Sequence, residues 1–224
     1  MNLVGLKELE ICVDASVSTR KGRTFTCSGA ICINNNNEDY YILQDSTNNR
    51  GELMALYRGV LMAINEVQRN PTEYGKISIY SDSQFAVFGV TRWMHGWLKH
   101  MDENGIIYGT NNLPVKNQSI FMMIVSLCVS NKLVVHFYNN LGHIDVNNKR
   151  QLYKAMHYFN DINKCNKTLD EIRTISIYNN IIDDRTRRAM HGIKTDSYPV
   201  IEYEHAPICP IRYYVAPGFG KYVK

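Results

Sequence analysis

Three short runs of apolar and β-branched residues open the chain: 9–14 (Leu-Glu-Ile-Cys-Val-Asp), 25–33 (Phe-Thr-Cys-Ser-Gly-Ala-Ile-Cys-Ile) and 40–45 (Tyr-Tyr-Ile-Leu-Gln-Asp). Polar or glycine-containing stretches part them, so they predict three successive strands. Their short connections predict an antiparallel meander. From Arg50 to Arg69 the period changes: Leu53, Leu56, Val60, Leu61, Ile64 and Val67 recur at helical spacing, and Asn70-Pro71 closes the segment. An amphipathic helix is expected there. Lys76-Ile-Ser-Ile-Tyr-Ser-Asp82 reads as a fourth strand, and the helix before it predicts a parallel crossover.

Residues 83–103 read as helical and carry Arg92, Trp93, His95, Trp97, Lys99 and His100. A polar loop with Gly105, Gly109 and Pro114 leads to a helix near 117–130, and Lys132-Leu-Val-Val-His-Phe-Tyr138 is the fifth strand. The loop Gly142-His143-Ile144-Asp145 follows, then a helix near 147–163 and another near 178–191. Pro199, Pro207, Pro210 and Pro217 among many tyrosines predict an extended tail over 193–224. The order of elements makes this an α/β chain with a five-stranded mixed sheet flanked by helices.

Composition narrows the picture. At 224 residues and 25.8 kDa the chain can bury one α/β core with additions, but is short for two full domains. Mean hydropathy of −0.29 and 45% hydrophobic residues are those of a globular protein, and no apolar run of about 18 residues offers a membrane span. The opening residues lack a cationic stretch followed by an apolar one, so a cytoplasmic protein is expected. Host cytoplasm would apply to a viral source, which the asparagine-rich runs such as Asn34 to Asn37 leave open. Cys12, Cys27, Cys32, Cys128, Cys165 and Cys209 form no CxxC pair and read as buried free thiols. A net charge of +4 is compatible with a polyanionic partner without implying one.

Three acids stand where apolar patterning would not put them. Asp14 ends an otherwise apolar strand, Glu52 lies in the first turn of an apolar-faced helix, and Asp82 ends the fourth strand. Were the first and fourth strands neighbours, Asp14 and Asp82 would emerge at one edge, with Glu52 beside them. Clustered, partly buried anions repel one another and raise each other's pKa. A divalent cation relieves that conflict: magnesium takes hard oxygen ligands, and two ions about 4 Å apart can drive in-line displacement at a phosphodiester. Taken singly, each acid would equally pass as a strand-end or helix-start residue.

The flanking residues change this. Thr47-Asn48-Asn49-Arg50-Gly51-Glu52-Leu53-Met54-Ala55, Ser81-Asp82-Ser83-Gln84 and Val13-Asp14-Ala15-Ser16 resemble the segments of type 1 ribonuclease H that carry its first three catalytic carboxylates. Ala15 stands where a glycine is more usual. Trp93, Trp97 and Pro114-Val115-Lys116-Asn117 resemble the family's basic protrusion and the start of the next helix, and Gly142-His143 its histidine loop. The matches run in the family's order over roughly residues 9–143. One departure concerns the fourth carboxylate, which the family places close behind the histidine in a pattern of asparagine, three residues, aspartate. Here that spacing recurs only at Asn179-Asn180-Ile181-Ile182-Asp183, with Asp184 as the alternative acid. A helical insertion over about 147–175 is therefore expected, within a domain of residues 1–192 and ahead of the 193–224 extension.

The resemblance implies an endonuclease that cuts the RNA strand of RNA–DNA hybrids with two Mg2+ ions, Mn2+ being able to substitute, and leaves 5′-phosphate and 3′-hydroxyl ends. Asp14, Glu52, Asp82 and Asp183 would bind metal, and His143 would shuttle a proton or assist product release. Asn49 and Gln84 would reach the ribose 2′-hydroxyl and base edges, Thr47 a DNA phosphate, and Asn48 would serve as contact or helix cap. Trp93, Trp97, Lys116 and Asn117 would handle the backbone, Asn117 also capping its helix, while Trp93 and Trp97 could equally pin the protrusion to the domain. A monomer is favoured. The competing readings are a DNA-directed nuclease of the same superfamily and an inactive nucleic-acid-binding or interaction module.

Overall fold

The computed structural model describes residues 6–20, 22–44 and 46–191. The expected extended tail over 193–224, and Cys209 with it, lie outside the described residues. Five strands form one sheet in the order β3-β2-β1-β4-β5. The meander β1 (Lys7–Arg20), β2 (Arg23–Cys32) and β3 (Glu38–Gln44) is antiparallel as expected, while β4 (Tyr74–Ser81) and β5 (Val135–Asn139) continue it in parallel. Strand β1 outruns its apolar core because Ser16 to Arg20 keep pairing with the start of β2.

Alternation along β1 sorts side chains between two layers. Leu9, Ile11, Val13 and Ala15 face one core, under α1 (Asn48–Arg69), where Leu53, Leu56 and Val60 are fully buried. Cys12 faces the other, under α5 (Lys149–Asn163) and α6 (Leu169–His191), with Phe159, Ile175 and Ile182. Both layers are closed by apolar burial, and the strand between them is shielded on each side.

Helix α1 is capped by Thr47, whose Oγ1 accepts from Arg50 N at 3.3 Å, so the cap considered for Asn48 falls one residue earlier. Its start is tied to the sheet by Ser28, which donates to Gly51 O at 2.7 Å. The run expected as one helix over 83–103 is broken into α2 (Gln84–Phe88), a π turn (Gly89–Trp93), α3 (Met94–Trp97) and a 3-10 turn (Leu98–His100). Within it Thr91 donates back to Val87 O at 2.7 Å, and Gly89 lies where any side chain would overlap Phe121 of α4 (Gln118–Ser130).

Beyond β5, α5 begins on an Asn148 cap, its Oδ1 accepting from Gln151 N at 3.2 Å. The last helix begins at Leu169, well before the expected 178. Thr168-Leu169-Asp170-Glu171 is a reciprocal cap, Glu171 Oε2 accepting from Thr168 N at 2.7 Å and Thr168 Oγ1 from Glu171 N at 3.3 Å. The first turns of α6 therefore fall inside the stretch expected as an insertion. Cys12, Cys27 and Cys32 are buried free thiols, whereas Cys128 and Cys165 are only half-buried. Among the described residues no helix is long and apolar enough to cross a membrane.

Candidate metal centre and nucleic-acid interface

Each of the three acids is delivered by a different element. Asp14 projects from β1 opposite Gly29 of β2, Asp82 stands one residue past β4, and Glu52 is the fifth residue of α1, a turn deeper than expected. Asp14, expected to end its strand, lies at the middle of β1. Because β1 and β4 are parallel neighbours, it still meets the end of β4 and the start of α1. One carboxylate oxygen from each lies within 4.8 Å of the others.

Asp14 is 5% exposed and Glu52 6%, with Asp82 half-buried. Asp14 Oδ1 accepts from Ala15 N at 2.8 Å, but Glu52 Oε2 is buried without a hydrogen-bond partner. Burial first, and the Asp82 charge second, push the Asp14 pKa well above the ordinary carboxylate range. Burial followed by the Asp14 and Asp82 charges does the same to Glu52. Asp82 is raised chiefly by burial, against the Asn179 amide and His143, which pull it down. Hard oxygen donors, tight mutual distances and an orphaned buried oxygen are what a divalent cation would satisfy.

A fourth acid, Asp183 of α6, lies near enough for its charge to act on this cluster. Gly29 has no side chain to hold that helix away: a Cβ there would come within 2.7 Å of Thr186 Cγ2 and 2.8 Å of Ile182 Cδ1. Ser16 Oγ and Thr186 Oγ1 share a hydrogen bond of 2.9 Å at the same level. Asp183 lies between those two contacts, and its charge raises both Asp14 and Asp82. Arg187 lies 3.5 Å from Asp183 Oδ2 and also reaches Asp184, one position on, which pairs with Arg188 as well. His143 sits at φ 54° with its side chain 76% exposed, and its Nδ1 lies 3.4 Å from Asp183 Oδ2. Before it, Gly142 presses on Asp82, where any Cβ would overlap Oδ2.

Two residues here escaped the sequence reading. Asn140 Nδ2 donates to Asn179 Oδ1 at 3.0 Å, both side chains being buried. Asn179 Nδ2 makes no hydrogen bond of its own among the described residues but lies near enough to Asp82 to favour its charged form. Asn179 opens the asparagine-to-aspartate spacing that singled out Asp183, so a signal for it existed. Asn140 has none.

The expected substrate residues divide into two groups. Thr47, Asn48 and Asn49 lie exposed at the start of the helix that carries Glu52, and exposed Gln84 follows Asp82 by two residues. Trp93, Trp97, Lys116 and Asn117 stand on a separate platform outside the carboxylate cluster. Trp97 packs its ring 5.3 Å from Phe121, and Trp93, 39% exposed, lies 5.8 Å from Trp97, so the pair pins this platform to the core. Asn117 precedes α4 at φ 59° without a side-chain capping bond, so the cap expected of it is absent. Lys116 is exposed. Arg92 is drawn off by α5, donating to Ile162 O at 2.7 Å and lying 3.9 Å over the Phe88 ring.

The RNase H family profile matches residues 7–150. Among curated relatives, Ribonuclease H of Nitrosomonas eutropha is 27% identical over 119 residues, 52% of this chain and 68% of that protein. That of Erythrobacter litoralis is 30% identical over 93 residues, 42% of this chain and 56% of its own length. A solved foamy viral protease–reverse transcriptase in complex with RNA/DNA hybrid aligns with TM-score 0.41 and 14% identity, covering 58% of this chain and 17% of that one. A likeness that loose carries no argument. The profile ends as α5 begins, so Asp183 and all of α6 lie beyond it.

Proposed function

The chain belongs to the RNase H family, and from that premise we propose that it is a metal-dependent endonuclease hydrolysing the RNA strand of RNA–DNA hybrids. The observation that carries this reading is the buried Asp14–Glu52–Asp82 cluster, with Glu52 Oε2 lacking any partner. Two Mg2+ ions, or Mn2+ in their place, would there activate a water and offset charge on the scissile phosphate, leaving 5′-phosphate and 3′-hydroxyl ends.

Asp14, Glu52 and Asp82 would hold these ions, with Asp183 as fourth ligand in preference to Asp184, because the Asp183 charge acts on Asp14 and Asp82. Gly142 leaves the Asp82 oxygens accessible, and exposed His143 next to Asp183 is placed to take up or release a proton beside the leaving group. Asn49 and Gln84 would read the minor groove, where the 2′-hydroxyl distinguishes RNA from DNA, with Asn48 contributing to the same edge and Thr47 contacting a phosphate. Trp93, Trp97, Lys116 and Asn117 would guide the duplex backbone further along. We further propose one catalytic domain over residues 1–192, with α5 as its added helix, and an extension over 193–224.

The test is cleavage of an end-labelled hybrid against duplex DNA, duplex RNA and single-stranded RNA of the same sequence, in Mg2+ and in EDTA. Internal cuts in the RNA of the hybrid alone, abolished by EDTA, are expected. Equal cutting of duplex DNA would move the chain to the DNA-directed branch, and no metal-dependent cutting at all would leave a binding module.

A further inference from the structure

Helix α5 reaches the substrate side of the site through one phenol. Gln84 Nε2 donates to Tyr158 OH at 2.7 Å, Tyr158 OH donates to Asn139 Oδ1, and Asn139 Nδ2 donates to Ser81 O at 3.0 Å. The direction of this chain is dictated from its buried end. A backbone carbonyl can only accept, so Asn139 must turn its NH2 group to Ser81 O and its Oδ1 to Tyr158. That oxygen also only accepts, so Tyr158 must spend its single proton on it. The phenol oxygen is then left with lone pairs alone, and Gln84 must meet it with Nε2.

Side-chain amides are ordinarily ambiguous about which end is nitrogen, but a fixed carbonyl removes the ambiguity at both Asn139 and Gln84. The far side of the relay is rigid. Asn139 is fully buried, and Asn163 of α5 brackets its backbone, accepting from Asn139 N at 3.0 Å and donating to Asn139 O at 2.8 Å. Phe159, next to Tyr158, is buried in the second core. Gln84 itself is exposed two residues beyond Asp82, and among the described residues its Oε1 has no hydrogen-bond partner.

We propose that Tyr158 is a positioning residue that fixes Gln84 with its carbonyl outward, so that this position selects a hydrogen-bond donor in the substrate's minor groove. Two groups there qualify, the ribose 2′-hydroxyl and the guanine 2-amino group. Tyr158 lies beyond the residues matched by the family profile, so this selection is supplied by the chain's own added helix. The inference rests on the hybrid-cleaving reading above.

The experiment is steady-state cleavage of a defined hybrid by the wild type, Tyr158→Phe, Gln84→Ala and the double variant, with melting temperatures alongside. Tyr158→Phe keeps the ring and frees the amide, so KM rises about three- to tenfold with kcat within about twofold. Gln84→Ala raises KM similarly, and Tyr158→Phe adds nothing in that background. Gln84→Glu gives a second handle that leaves α5 intact: a carboxylate also needs the phenol proton already committed to Asn139, and so reproduces the KM rise. Hybrids carrying single 2′-deoxy or inosine substitutions then identify the donor, as the one whose removal is felt by the wild type but not by either single variant. An equal Tyr158→Phe effect with and without Gln84, a silent Gln84→Ala, or a loss confined to kcat or melting temperature would each overturn the proposal. A wild-type chain that cleaves no hybrid would overturn the reading beneath it.

Discussion

Strand β1 carries acids at its start and at its middle, on the same face of the sheet, in opposite electrostatic settings. At its start Glu8 accepts from Lys76 at 2.8 Å and from Ser78, Glu10 accepts from Tyr80 OH at 2.6 Å, and Lys167 reaches both acids and Glu171. Burial would raise Glu8, but the Lys76 and Ser78 hydrogen bonds and the Lys167 charge hold it below the ordinary carboxylate range. Lys167, its side chain 11% exposed, is pushed up to about 12 against burial by Glu171, Glu10 and Glu8. Four residues beyond Glu10, Asp14 faces Glu52 and Asp82. Although the Arg187 charge is felt there, among the described residues no lysine or arginine forms an ion pair with Asp14, Glu52 or Asp82. Acids that bring their own cations fasten an element, here the turn between α5 and α6. Acids brought together without cations cost stability until an ion arrives from outside.

The largest effect should come from removing one acid of the unpaired group. Asp14→Asn is expected to lower single-turnover hybrid cleavage roughly a thousandfold or more, about 4 kcal/mol of transition-state stabilisation. In EDTA the same variant should melt higher than wild type, since a repulsive buried charge is gone. A lower melting temperature would erase the contrast between the two groups.

Metal should act on the unpaired group alone. At about a hundred times its dissociation constant, Mg2+ is expected to stabilise the wild type by roughly 2.7 kcal/mol in calorimetry. The gain should shrink toward pH 5, because protons compete for Asp14 and Glu52, whose pKa values are raised. Without metal, the folded protein holds more protons on these two acids than the unfolded chain does. Their contribution therefore falls as pH climbs from the ordinary carboxylate range through the raised values. Glu8 and Glu171, with lowered values, contribute the opposite way: stability present above the ordinary range and lost as pH falls through the lowered values. Asp14→Asn should weaken the first trend in melts recorded against pH in EDTA, leaving the part due to Glu52 burial, and leave the second unchanged.

The paired group predicts a smaller loss of another kind. Lys167→Met leaves Glu8 and Glu10 without a shared cation and should cost about 2 kcal/mol in urea unfolding, less than for a fully buried pair because water still reaches the carboxylates. Its kcat should stay within about twofold of wild type. Smallest of all, Asp184→Asn is expected to change cleavage less than about twofold and stability by about 0.5 kcal/mol or less, since its arginine partners face solvent. A large loss of cleavage there, with Asp183→Asn near wild type, would exchange the two acids.

Much of this fold is legible in the order of residues. Strand alternation and the period of the first long helix are properties of neighbours along the chain, and β2 to β5 lie within a few residues of where the pattern puts them, while β1 runs on past its expected end at Asp14 to Arg20. The start of α6 had a local signal in the capping spacing of Thr168 and Glu171, but it lies inside the stretch expected as a helical insertion, with the last helix expected only near 178. Asn140 and Tyr158 were not legible, because a lone asparagine or tyrosine takes its meaning from what faces it.

What the sequence by itself determined is which side chains line up on each element, because a helical or extended backbone repeats at a fixed interval whatever surrounds it. Only the tertiary structure shows that Asp183 acts electrostatically on the carboxylate cluster. Adjacent helical positions point about 100° apart, and the bare backbone of Gly29 lets α6 pack Ile182 and Thr186, on either side of Asp183, against the strand that pairs with Asp14. The same packing decided that Gln84 meets a phenol from a helix more than seventy residues away, a contact that no local pattern encodes.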